Sequence, residues 1–226
     1  MRHLKREERM TMSSNELLLG FDAREMWLDV AEYWPEERKR TFLLRQDVVR
    51  PLSTDEYVWR SVFDVDLSLQ YPQWTGPIQN LWDNLDTLQA YLDTAWGART
   101  LPYWLMAVTL QEDVCERENL LEWHDRVSNL ITTPRDPAWV LLGYDVSDKW
   151  LTSGLSNCST NESEMQLLRD TYASVLNEHH LFDALKPAVD YVHVSDERVR
   201  AHAPFFVFGL WLIKKQEGLA QPDSVR

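Results

Sequence analysis

Glycine is scarce in this chain, with seven residues in 226. Loops that cradle phosphate groups need glycine, because the backbone must approach the ligand closely. The sequence contains neither a glycine-rich phosphate loop nor the G-x-S-x-G elbow of a serine hydrolase. The shortage therefore argues against a nucleotide-binding loop and against this class of nucleophile.

Cysteine is scarcer still, with Cys115 and Cys158 lying 43 positions apart. The charged N-terminus is not followed by the apolar segment of a secretory signal. Two thiols without such a signal are expected to be free and reduced, in a cytoplasmic protein. No C-x-x-C or H-E-x-x-H pattern is present, so we predict no metal site and no other cofactor.

Long apolar runs and basic residues are also lacking. The longest apolar run, Phe205–Ile213, is too short to cross a bilayer as a helix, so no membrane association is predicted. Lys and Arg number 23 against 36 Asp and Glu, giving a net charge of -13. Nucleic-acid binders need clustered cations, so this balance argues against them. A net negative charge of this size fits a protein that binds a basic partner, or one that is kept soluble by self-repulsion.

The composition, 44% hydrophobic and 26% charged, is that of a folded protein. We predict a single α+β domain over residues 15–216, between a disordered leader at 1–14 and a flexible tail at 217–226. Translation could start at Met1, Met10 or Met12. A small central sheet of about four strands is expected from the runs Thr41–Val49, Leu101–Leu110, Trp139–Val146 and Phe205–Ile213, although Leu101–Leu110 also fits a buried helix.

Apolar residues at helical spacing predict several helices that cover this sheet. The clearest is 77–96, where Gly76 and Pro77 suit the start and Gly97 the end. Residues 181–204 are expected to be a connecting segment. Further helices are predicted over 22–34, 53–63, 116–131 and 161–176, with Leu120, Leu121, Val127 and Leu130 facing inward in the 116–131 helix.

Acidic residues are concentrated in one part of the chain. Between Ser61 and Ala98 there are five Asp and no Lys or Arg, and over 61–122 ten acids minus two bases give -8. In such a surface, carboxylates steer a basic partner and aromatic side chains supply burial energy. We predict a partner-binding face on the 77–96 helix, the alternative being a merely solvated face. Its residues are Trp82, Asp83, Asp86, Tyr91 and Asp93.

A second, smaller contact patch is predicted at Asp145, Asp148 and Trp150, in the loop after Val146. The alternative is a small hydrolase or transferase, because sheet enzymes place carboxylates after strands. Histidines that could join them lie downstream, at His179, His180, His193 and His202. Such Asp residues more often close turns, so we predict no catalytic residues.

Two stretches, WVLLGYDVSDKWLTSGLSNC and the pairing of LNEHHLFDAL with DERVRAHAPFFVFGLWLI, resemble bacterial immunity proteins. These are cytosolic antidotes encoded beside polymorphic or contact-dependent toxins. The resemblance covers a minor part of the chain and carries no catalytic motif or binding residue. It implies a non-enzymatic protein that neutralises a toxin by one-to-one binding. A structural or phage-related scaffold protein is a third possibility, which predicts self-association.

Overall fold

The computed structural model describes residues 15–26, 59–61, 77–78, 81–93, 103–130, 139–149, 151, 153–155, 167–168 and 170–216. Five strands form one antiparallel sheet in the order β2-β1-β3-β5-β4. Four helices of six residues or more accompany it in the described residues. The strands are β1 (Glu16–Met26), β2 (Trp59–Ser61), β3 (Tyr103–Gln111), β4 (Val140–Ser147) and β5 (Phe206–Gln216). The helices are α1 (Leu85–Tyr91), α2 (Glu112–Arg117), α3 (Leu121–Leu130) and α4 (Leu185–Arg198).

The predicted α+β class is confirmed, with a small sheet and several helices. Three of the four predicted strands are present as β3, β4 and β5, while Thr41–Val49 lies outside the described residues. In β3 every residue from Tyr103 to Leu110 is buried. Both faces of this strand are therefore covered, which explains why its sequence also fits a buried helix.

Two of the predicted helices are wrong in their described parts. Residues 22–26, the start of the predicted 22–34 helix, are the end of β1. Within the predicted 53–63 helix, Trp59–Ser61 is β2, which pairs with Arg24–Met26. Backbone pairing between distant segments decides the conformation here, and the apolar spacing of one segment does not contain that information.

The predicted 77–96 helix begins later than predicted, and its last residues, 94–96, lie outside the described residues. Trp82 is not helical. Its backbone exchanges hydrogen bonds of 2.8 and 2.9 Å with Phe21 of β1. The helix begins only after Asn84, whose side chain accepts a hydrogen bond of 2.9 Å from the Thr87 amide.

The remaining helices differ from the sequence prediction in smaller ways. The predicted 116–131 helix is interrupted at Asn119, which has a φ of 58°, so that α2 and α3 are separate. Of the predicted 161–176 helix, residues 167–168 and 170–172 are helical, whereas 173–175 form a turn and Leu176 an isolated bridge with Phe182, so the predicted end is wrong. The segment expected to be a connection contains α4, whose buried Ala188, Tyr191 and Ser195 recur at helical spacing.

The sheet is strongly coiled. Arg24 lies beside Trp104 near one end of the sheet, whereas Asp145 lies beside Phe208 near the opposite end. Strands β3 and β5 separate them, which in a flat sheet means roughly 14 Å in the direction across the strands alone. The Arg24 Nη1 and Asp145 Oδ2 atoms are nevertheless 3.8 Å apart. Opposite corners of the sheet therefore meet on one face, as strong right-handed twist and coiling allow.

Candidate functional site

The segment directly before α1 contacts α3. Arg126 of α3 forms an ion pair of 2.6 Å with Asp83, and the Asn84 side chain donates to the Leu130 carbonyl at 3.4 Å. Helix α3 is fixed in turn to β1, because the Trp123 indole donates to the Leu19 carbonyl at 2.7 Å. The start of α1 is thus linked to α3, and α3 to β1.

We call the exposed carboxylates of residues 86–125 the acidic helical surface. Over the described residues 81–93 and 103–130, nine Asp and Glu minus two Lys and Arg give a charge of -7. Both cations have an acidic neighbour, since Arg117 lies 3.5 Å from Glu118 and Arg126 lies 2.6 Å from Asp83. The members of the acidic helical surface are Asp86, Asp93, Glu112, Asp113, Glu116, Glu122 and Asp125.

The structure changes which predicted residues belong to this surface. Asp86 and Asp93 are exposed, as expected for contacts with a partner. Trp82 is only 3% exposed and belongs to the core, so the expectation that it is an exposed anchor is wrong. Asp83 is largely covered and paired with Arg126. The side chain of Tyr91 lies outside the described residues.

Exposed apolar side chains occur where the sequence predicts buried ones. Leu121 and Leu130 of α3 are each 38% exposed, although both are predicted to face inward. Trp123 takes an inward position instead, together with Leu120 and Val127. The spacing of three and four residues from 120 to 123 to 127 is the helical signal that identifies the buried face. The two leucines add apolar contact area at the ends of α3.

Two residues of the second predicted patch are not on the surface. Asp145 and Asp148 are both buried, so the expectation that they form an exposed contact is wrong. Asp145 accepts hydrogen bonds from Ser147 at 2.6 Å and from Ser153 at 2.7 Å. These bonds replace the water that a buried carboxylate loses. Trp150 lies outside the described residues.

Asp148 meets one of the histidines named with it. The His202 Nδ1 atom lies 2.7 Å from Asp148 Oδ2, and the imidazole is 23% exposed. Next to this pair, Leu151 has a φ of 59°, a left-handed conformation that is costly for a branched residue. His179 lies elsewhere, with its ring 5.4 Å from that of Trp104. The sequence order alone gives no reason to choose His202.

Burial raises the pKa of four groups, Tyr103, Cys115, Tyr144 and Tyr191. The pKa of the Cys115 thiol rises to about 12, first because it is buried and then because Asp113 and Glu112 are near. Burial raises the pKa of Tyr191 to about 12, and it raises that of Tyr144 with help from Glu16. A thiol held in its protonated form is a poor nucleophile, so Cys115 is not suited to covalent catalysis.

The described residues contain no group of three or more His, Cys, Asp or Glu side chains placed to hold a metal ion. None of the helices in the described part of the chain is long and apolar enough to span a membrane. No family model, no curated protein and no solved structure matches the chain.

Proposed function

We propose that this chain is a non-enzymatic binding protein whose acidic helical surface docks on a basic protein. The observation that carries the proposal is the charge of -7 over residues 81–93 and 103–130, with most of its carboxylates exposed. Clustered carboxylates attract a basic partner over several ångströms and raise the rate of association. The contacts that link the start of α1 to α3 support this role, since side chains already held in place lose less entropy on binding.

Leu121 and Leu130 supply the apolar part of the proposed interface. Charges at the rim of an interface contribute mainly to association, whereas buried apolar contacts slow dissociation. Each leucine is 38% exposed, beside Glu122 and Asn129 respectively. This arrangement of carboxylates around small apolar areas suits a protein partner better than a small molecule.

The finer proposal is that the partner is a toxin and the chain its immunity protein. It rests on the resemblance of residues 139–158 and of the segments near β5 to bacterial immunity proteins, and on the acidic helical surface. Toxins that act on nucleic acid need a basic substrate-binding face, and an acidic antidote would cover it. The proposal predicts a basic protein that is harmful when expressed alone and harmless when this chain is present.

The test begins with affinity purification from the native cell, with the neighbouring reading frames intact. Association with the captured basic protein is then followed by stopped-flow fluorescence at low and high salt. The double reversal Asp86→Lys/Asp93→Lys should slow association by about tenfold or more and flatten its salt dependence. Co-expression with the toxin, scored by cell survival, tests the antidote role separately.

The matched control is Asp183→Lys/Glu197→Lys, which makes the same charge change at exposed positions outside the acidic helical surface. If both double variants slow association equally, the effect belongs to net charge and the proposed surface is wrong. Capture of no basic protein, together with unchanged survival, would reject the immunity role.

The Asp148–His202 pair favours a second candidate, a small hydrolase. In Ser-His-Asp enzymes a buried carboxylate binds one imidazole nitrogen while the other nitrogen transfers the proton. The 2.7 Å contact and the partly exposed ring of His202 fit that arrangement. Under this alternative, p-nitrophenyl acetate is hydrolysed faster by the wild type than by His202→Gln. Equal rates, with His193→Gln as the control for an exposed histidine, would reject it.

A further inference from the structure

We draw no further inference here: the strongest candidate, the buried side-chain cluster where Arg24 meets Asp22 and Asp145 on one face of the sheet, carries nothing because its charges are paired within the cluster and nothing in the structure shows a ligand that would bind there.

Discussion

Tyr144 and Glu16 are joined by a hydrogen bond of 2.9 Å, although 128 positions separate them in the chain. Glu16 is buried on β1, and its other carboxylate oxygen accepts a bond of 3.0 Å from the Thr109 hydroxyl. Gly209 of β5 pairs with both Thr109 and Tyr144, and a Cβ atom there would lie 2.4 Å from the Thr109 Oγ1. The tyrosine ring reaches across the sheet because this residue has no side chain.

This contact gives a first prediction, for Tyr144→Phe. Removing the hydroxyl leaves Glu16 Oε1 without its donor in a buried environment, which costs about 1–3 kcal/mol. Urea denaturation should therefore show a lower free energy of unfolding. The control is Tyr172→Phe, because the described residues show no hydrogen bond from the Tyr172 hydroxyl. A loss of the same size in the control would mean that the Glu16 contact is not the cause.

A second prediction concerns Arg24, which is 2% exposed and forms an ion pair of 2.8 Å with Asp22. Arg24→Met leaves the buried carboxylates of Asp22 and Asp145 without their cation, so we expect a loss of about 3–5 kcal/mol. Arg126→Met is the matched control, because Arg126 is 48% exposed and its pair with Asp83 is near solvent. That variant should lose no more than about 1 kcal/mol. If chemical denaturation shows similar losses of unfolding free energy for the two variants, Arg24 is not the buried cation that these carboxylates depend on.

A third prediction separates the two roles of acidic residues near α1. Asp83 is already neutralised by Arg126, whereas Asp86 is exposed. Asp86→Asn should therefore slow association with a basic partner more than Asp83→Asn does. Asp83→Asn should act on stability instead, with a coupling to Arg126→Met of about 1 kcal/mol or less in a double-mutant cycle. The reverse order in stopped-flow association would place Asp83 in the interface.

The buried thiol of Cys115 gives a fourth prediction. In a Cys158→Ser variant near neutral pH, Ellman's reagent should react with Cys115 only after unfolding, because the thiol is fully buried and its pKa is about 12. Labelling that keeps pace with an exposed model thiol would show that the site is open. Labelling in increasing urea should follow the unfolding transition measured by fluorescence.

The Cys115 thiol also makes the free energy of unfolding depend on pH in the alkaline range. Above pH 9.0, the ordinary pKa of the thiol, the unfolded chain releases the proton that the folded chain keeps up to about pH 12. Unfolding then releases a proton, so the free energy of unfolding falls as pH rises through this range. Cys115→Ala lacks this contribution. The stability difference between wild type and Cys115→Ala should shift with pH above 9.0 and stay constant below it.

The secondary structure shows where the sequence is informative and where it is not. The runs that became β3, β4 and β5 are recognisable because continuous apolar residues suit strands covered on both faces. The first part of the predicted 22–34 helix was wrong because residues 22–26 pair with β3 and β2, which lie far away in the chain. Asp22 and Arg24 suggest a solvent-facing helix side in the sequence, but in the sheet both are buried and pair with each other.

The candidate site also depends partly on the sequence and partly on the tertiary structure. The concentration of acids is a property of the sequence alone, and so is its separation from most of the Lys and Arg residues. Which acids reach solvent depends on contacts between distant segments. Asp145 is buried because Ser147, Ser153 and Arg24 satisfy it, and Asp83 is covered because α3 brings Arg126 to it.

By itself, the sequence determined the fold class, three of the five strands and the location of the acidic charge, because each depends on local periodicity or composition. The tertiary structure alone decided that Trp82 pairs with Phe21, that Tyr144 reaches Glu16 and that His202 meets Asp148. These contacts join residues far apart in the chain, and the free energy of each depends on a partner that local sequence does not specify.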